Sequence, residues 1–113
     1  MVFKQVYRLY PEKIVIVGDS AGGNLAAALT TLLIQWKLPL PTGIVLVYPA
    51  LNLNLNDYTP SQLTALNDMI LPHTFLKLCQ KAYIRDERLK PDQDPFISPI
   101  LTPDSVLASY PKT

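Results

Sequence analysis

Few residues in this chain are equipped for chemistry. Ser20 stands in the run Gly18-Asp19-Ser20-Ala21-Gly22, with Gly23 directly after it. His73 is the single histidine and Cys79 the single cysteine, and Asp57, Asp68, Asp92, Asp94 and Asp104 are spread over the second half. A serine hydroxyl becomes a nucleophile only when a base takes its proton and nearby donors stabilise the charge that develops. The Gly-x-Ser-x-Gly spacing is that of a nucleophile elbow, a very tight strand-to-helix turn that pushes the hydroxyl out at the carboxyl edge of a sheet. Side chains two positions before and after the serine are expected to strike the neighbouring strand and helix, which accounts for Gly18 and Gly22. Such a serine also sits at a helix N-terminus, where unpaired N–H groups and the helix dipole favour negative charge. The Ala21 N–H is therefore the candidate oxyanion donor. Asp19 belongs to the motif but is assigned no catalytic part.

The same letters admit other readings. A lone Gly-x-Ser-x-Gly arises by chance, and a glycine-rich strand–helix junction can bind an anion without doing chemistry. GDSAGG is also close to the GDSGG of chymotrypsin-like proteases. Those proteases place the serine on a loop of a disulfide-bearing β-barrel, whereas here a long helical pattern follows and no cysteine pair exists. The spacing and lysine of a phosphate-binding P-loop are missing too.

The elements around Ser20 decide between these readings. Ile14–Val17 is a β-branched run, expected to be a short strand buried on both faces. Ser20–Trp36 is uncharged, and from Gly22 onward Leu25, Leu29, Leu32, Leu33 and Trp36 follow helical spacing, so a buried helix is predicted. Pro39 and Pro41 must stop it. Ile44–Tyr48 reads as a second buried strand closed by Pro49. Strand, helix and strand form a βαβ unit in a parallel sheet, the context an elbow requires.

Val2–Leu9 has the spacing of a helix end before Pro11. Thr59-Pro60-Ser61-Gln62 and Thr102-Pro103-Asp104 both read as helix starts with threonine at the N-cap. A further helix begins after Pro72, with Phe75, Leu78, Cys79 and Ala82 on one face. The proline-rich end, 91–113, interleaves Phe96, Ile97, Ile100 and Leu101 and should be packed.

Composition excludes several classes. The 113 residues carry a formal net charge of +1 with no Lys/Arg cluster, so no nucleic acid is expected as a partner. The single cysteine rules out an internal disulfide and fits a reducing, cytoplasmic setting. No stretch reads as a transmembrane segment.

The block GDSAGGNLA resembles the nucleophile block of the hormone-sensitive lipase family of α/β-hydrolases. The resemblance runs on through YPALNL, PSQLTALNDMILPHTFLKLCQKAY and DPFISPILTPDSVLASYP, over nearly all of residues 7–111. The later blocks narrow it away from the family's generic microbial esterases. It implies a fold of class α/β, a partial α/β-hydrolase fold in one domain. In that domain 11–50 is the core with the elbow, 59–90 the cap-region helices and 91–113 the packed tail. It also implies a Ser–Asp–His triad acting on carboxylic esters, with acylglycerols or sterol esters as substrates, and it leaves room for peripheral contact with lipid surfaces. No cofactor and no metal is needed. Ser20 is then the nucleophile, Ala21 the oxyanion donor, and Gly18, Gly22 and Gly23 steric enablers.

The family's upstream HGGG-type loop has no counterpart before Lys13, and the triad acid and base belong beyond later strands. His73 follows Asp57 and Asp68 in a formally correct order, but it opens a helix and has no strand leading to it. Asp92, Asp94 and Asp104 read as turn and cap residues. The chain is accordingly expected to be the middle of a lipase-like hydrolase, poorly folded and inactive by itself. The alternatives are a non-catalytic binding or interaction module, or a degenerate gene remnant.

Overall fold

The two β-branched runs lie side by side. β1 (Val15–Asp19) and β2 (Gly43–Val47) pair in parallel, Val15 opposite Gly43 and Asp19 opposite Val47. The structure, a computed structural model, describes residues 12–54, 56–57, 59–64, 68–86 and 88–113. The helix end expected at Val2–Leu9 lies outside them. β1 runs two residues past Val17, because Gly18 and Asp19 still find partners in Leu46 and Val47. Tyr48 has left the ladder, with φ at 36°.

Parallel neighbours need a crossover. It is α1 (Ser20–Gln35), which begins at the serine itself. Its expected leucine stripe is not the face it buries. Gly23, Asn24, Ala26, Ala27, Thr30 and Thr31 are the buried positions, whereas Leu25, Leu29 and Trp36 are exposed among the described residues. Both sets have helical periodicity, so periodicity alone could not choose between them. Small residues let the helix backbone approach the sheet closely, and Ile44, 2% exposed, fills the space beneath. The strands likewise bury one face rather than two. Ile16 and Leu46 are half-buried, but Val15, Val17, Val45 and Val47 are exposed.

α1 ends in a Schellman turn. The Lys37 N–H donates to the Ile34 carbonyl (3.1 Å) and the Leu38 N–H to the Leu33 carbonyl (2.9 Å), with Lys37 left-handed at φ 53°. The chain returns through Pro39 and Pro41 to β2. On the other edge of β2 the Ile44 N–H donates to the Lys112 carbonyl (2.9 Å), so Lys112 opens a third parallel position.

After β2 come α2 (Pro60–Thr64) and α3 (His73–Tyr83), then a 3₁₀ turn at Pro99–Leu101 and α4 (Asp104–Leu107). α2 starts at its proline, as the sequence predicts. α4 departs from its predicted cap: no side chain caps it, and the Thr102 hydroxyl is buried without a hydrogen-bond partner among the described residues. Ile97, Ser98, Pro99 and Thr102 are buried. The Tyr110 hydroxyl donates to the Ala27 carbonyl (3.0 Å) and lies 2.7 Å from the Thr31 hydroxyl, which must then be the donor of that second bond. The tail is thereby fastened to the buried face of α1.

Candidate active site

Ser20 is where β1 becomes α1, and its φ is 47°. A non-glycine residue pays for that left-handed geometry with steric strain, of order 1–3 kcal/mol, and keeps it only where its surroundings enforce it. No described glycine has a positive φ. The glycines of GDSAGG therefore serve close approach, not conformational freedom.

Two of them are needed for it. A Cβ at Gly18 would overlap the Gly22 carbonyl, since the first turn of α1 folds back over the end of β1. A Cβ at Gly23 would come within 2.7 Å of the Pro49 Cβ, where the residues after β2 press on the helix. Gly22 differs from the sequence expectation. A Cβ there meets nothing nearer than the Asp19 Oδ1 at 3.8 Å, an ordinary contact. The steric demand falls on 18 and 23 rather than on 18 and 22.

The backbone at Ser20 is held from β2's side. The Ala50 N–H donates to the Ser20 carbonyl (3.0 Å), and Asn24 Nδ2 donates to the Ala50 carbonyl (2.7 Å) and to the Ile97 carbonyl (2.9 Å). Leu53 N–H donates to Ser98 Oγ (3.0 Å) and Ile100 N–H to the Leu51 carbonyl (3.1 Å). Asn24 and Ser98 were not singled out from the sequence. The available signal was a polar residue inside an apolar run, Asn24 after the glycines and Ser98 between Ile97 and Pro99.

Ser20 opens into an apolar cavity of about 200 Å³. Ser20, Ala21, Asn24, Leu25, Ala50 and Leu53 form its floor, and Leu76, Cys79, Gln80 and Tyr83 on α3 form its roof. Those four α3 positions share one helical face. The sequence expectation of a Phe75, Leu78, Cys79 and Ala82 face is displaced by about one residue, and Phe75 and Leu78 are exposed. Ala21, second in α1, precedes the first residue whose N–H has a carbonyl partner within the helix. Asp19 is exposed at the N-cap and makes no side-chain cap bond.

Among the described residues no side chain hydrogen-bonds the Ser20 hydroxyl. His73 opens α3 and is not part of the cavity wall. Asp68 Oδ1 accepts the Leu71 (2.7 Å) and Ile70 (2.8 Å) N–H groups, which hold its carboxyl below the usual carboxylate range. Asp57 accepts from Asn52 (3.0 Å) and, with Asp92, lines a separate cavity. Asp94 accepts the Phe96 N–H (2.8 Å), and Asp104 lies in the first turn of α4. These carboxylates serve turns and helix starts. No cluster of three or more His, Cys, Asp or Glu occurs among the described residues, and no helix among them is long and apolar enough to cross a membrane.

Comparison with known proteins agrees with this geometry. Residues 2–113 match a family model for the alpha/beta hydrolase fold. Hormone-sensitive lipase of Mus musculus is 38% identical over 72 residues, 64% of this chain and 9% of the lipase. An esterase of Acinetobacter venetianus is 35% identical over 95 residues, 84% of this chain and 30% of that protein. The crystal structure of carboxyl esterase 2 from the fungus Tuber melanosporum superposes with a TM-score of 0.83 at 26% identity, over 97% of this chain and 36% of the esterase. The chain thus spans a small part of the curated relatives it matches. By these matches and its strand–elbow–helix–strand fold, the chain belongs to the hormone-sensitive lipase family of α/β-hydrolases.

Proposed function

We propose that this chain carries the nucleophile of a serine carboxylic ester hydrolase that acts on lipid esters of the acylglycerol type. The observation behind the proposal is Ser20, held at φ 47° in the floor of an apolar cavity at a helix N-terminus. Lys37 and Tyr48 hold positive φ too, so the strain alone is not the signal; at Ser20 it coincides with a strand-to-helix corner, a helix N-terminus and an apolar cavity, which a plain turn does not need. The apolar walls suit an acyl chain, and the esterase and lipase names of its relatives point the same way.

Ser20 Oγ attacks the ester carbonyl carbon while a histidine accepts its proton. The carbonyl oxygen becomes an oxyanion facing the Ala21 N–H, with a second donor from an upstream loop. Collapse breaks the bond to the alcohol oxygen, which takes the proton back from the histidine. The acyl-Ser20 ester is then hydrolysed by water activated in the same way. The base is assigned to a strand later than β2, in the family's Ser, Asp, His order, and not to His73. Residues 1–113 produced alone are inactive on this reading, because no described side chain takes the Ser20 proton. The same reading treats 59–90 as cap over a single hydrolase core in a cytoplasmic setting.

A fluorophosphonate probe tests the proposal. In the full-length protein it should label Ser20, and Ser20→Ala should remove both labelling and ester hydrolysis. A folded, full-length protein that resists labelling would favour a non-catalytic binding module instead.

A further inference from the structure

The geometry assigns Asn24 a positioning role: its side-chain amide holds the Ser20 backbone in the attacking conformation through Ala50. This rests on the reading of Ser20 as nucleophile. Ser20 cannot hold φ 47° by itself, since nothing about a serine favours the left-handed region. The restraint closest to it is the Ala50 N–H on its carbonyl. That N–H belongs to a loop, and a loop bond restrains only as firmly as the loop is held.

Asn24 does the holding. Its Nδ2 spends both hydrogens, one on the Ala50 carbonyl (2.7 Å) and one on the Ile97 carbonyl (2.9 Å). It sits on α1 one turn after Ser20, so a ring closes from Ser20 to Ala50 to Asn24 and back along the helix to Ser20. The residue is 3% exposed; its bond to Ile97 is buried and its bond to Ala50 partly so, which limits competition from water. Pro49 packed on Gly23 stops the loop from following a shift of the helix. Only a side chain with two N–H donors at this length serves both carbonyls. Serine and alanine serve fewer, and a carboxylate serves neither and repels both.

Asn24→Ala and Asn24→Asp in the full-length protein distinguish positioning from mere support. Both are assayed below their own melting temperatures, with rates taken per folded molecule. The expected result for Asn24→Ala is a fall of roughly 10- to 100-fold in kcat and in the rate of fluorophosphonate labelling, with KM within about twofold of the parent. Asn24→Asp should gain a new pH dependence. Its protonated carboxyl donates one bond and retains part of the rate, which is lost as the group ionises. Wild-type labelling rates in both folded variants would overturn the positioning role. So would loss of the fold in both, since Asn24 would then serve stability alone. If the parent protein is not labelled at Ser20, the hydrolase reading itself fails, which is a separate outcome.

Discussion

The floor of the Ser20 cavity is held by buried polar bonds, whereas its roof is a helix with no buried residue. In the core that carries the floor, Asn24, Thr30, Thr31 and Ser98 are all buried, and each makes at least one hydrogen bond. The Thr30 bond is local, to Ala26 one turn back, but those of Asn24, Thr31 and Ser98 join residues far apart in sequence, and Asn24's leave the Ser20 corner little freedom. α3 covers the cavity with Leu76, Cys79, Gln80 and Tyr83 and leaves Phe75 and Leu78 outside. An element with few buried contacts opens at a lower free energy than one tied into a core. The difference teaches a division of labour. The strained corner is built on the α/β core; on the proposed function, the wall that would admit a substrate is built on a loosely seated helix.

The sharpest break in that comparison is at the corner. Gly18→Ala forces a Cβ into the Gly22 carbonyl, and overpacking of backbone should cost about 3 kcal/mol and abolish labelling of Ser20. Gly22→Ala, two residues beyond Ser20, should change stability by less than about 0.5 kcal/mol, since its Cβ meets only ordinary contact. Urea unfolding of the two variants measures the contrast, and equal costs would defeat the assignment of close approach to Gly18.

Tyr110→Phe tests the core at the end remote from the cavity. It removes the bonds to Thr31 and Ala27 and strands the Thr31 hydroxyl, which has no solvent exposure. The expected loss is about 2 kcal/mol in the melting equilibrium. Rate per folded molecule should be unchanged, because these bonds lie away from the Ser20 cavity.

The roof should respond in the opposite way. Leu76→Ala removes a half-buried side chain and should cost at most about 1 kcal/mol, yet raise KM for esters of longer acyl chains. A stability loss as large as that of Gly18→Ala, with KM unchanged, would place α3 in the core instead.

The smallest effect is expected at the end of α1. Lys37 holds φ 53° without glycine's freedom, so Lys37→Gly should raise stability by about 0.5 kcal/mol in thermal unfolding. A loss would mean that the lysine side chain supplies something the Schellman turn alone does not.

Much of this arrangement was legible in the sequence. The elbow, its flanking strands, the parallel pairing and the proline-started α2 follow from local rules. Turn geometry, β-branching and proline stereochemistry act within a few residues of where they are written. Faces were not legible in the same way. α1 carries two helical stripes, Leu25/Leu29/Trp36 and Gly23/Ala26/Ala27/Thr30, and hydrophobicity favours the wrong one. The choice was made by how closely a helix approaches a sheet, which depends on side-chain size at a contact between distant segments. Asn24 is the clearest case. Its residue type states that it can donate two hydrogen bonds. Only the folded chain brings the carbonyls of Ala50 and Ile97 to meet them, because hydrogen bonds of that reach depend on tertiary proximity and leave no local pattern.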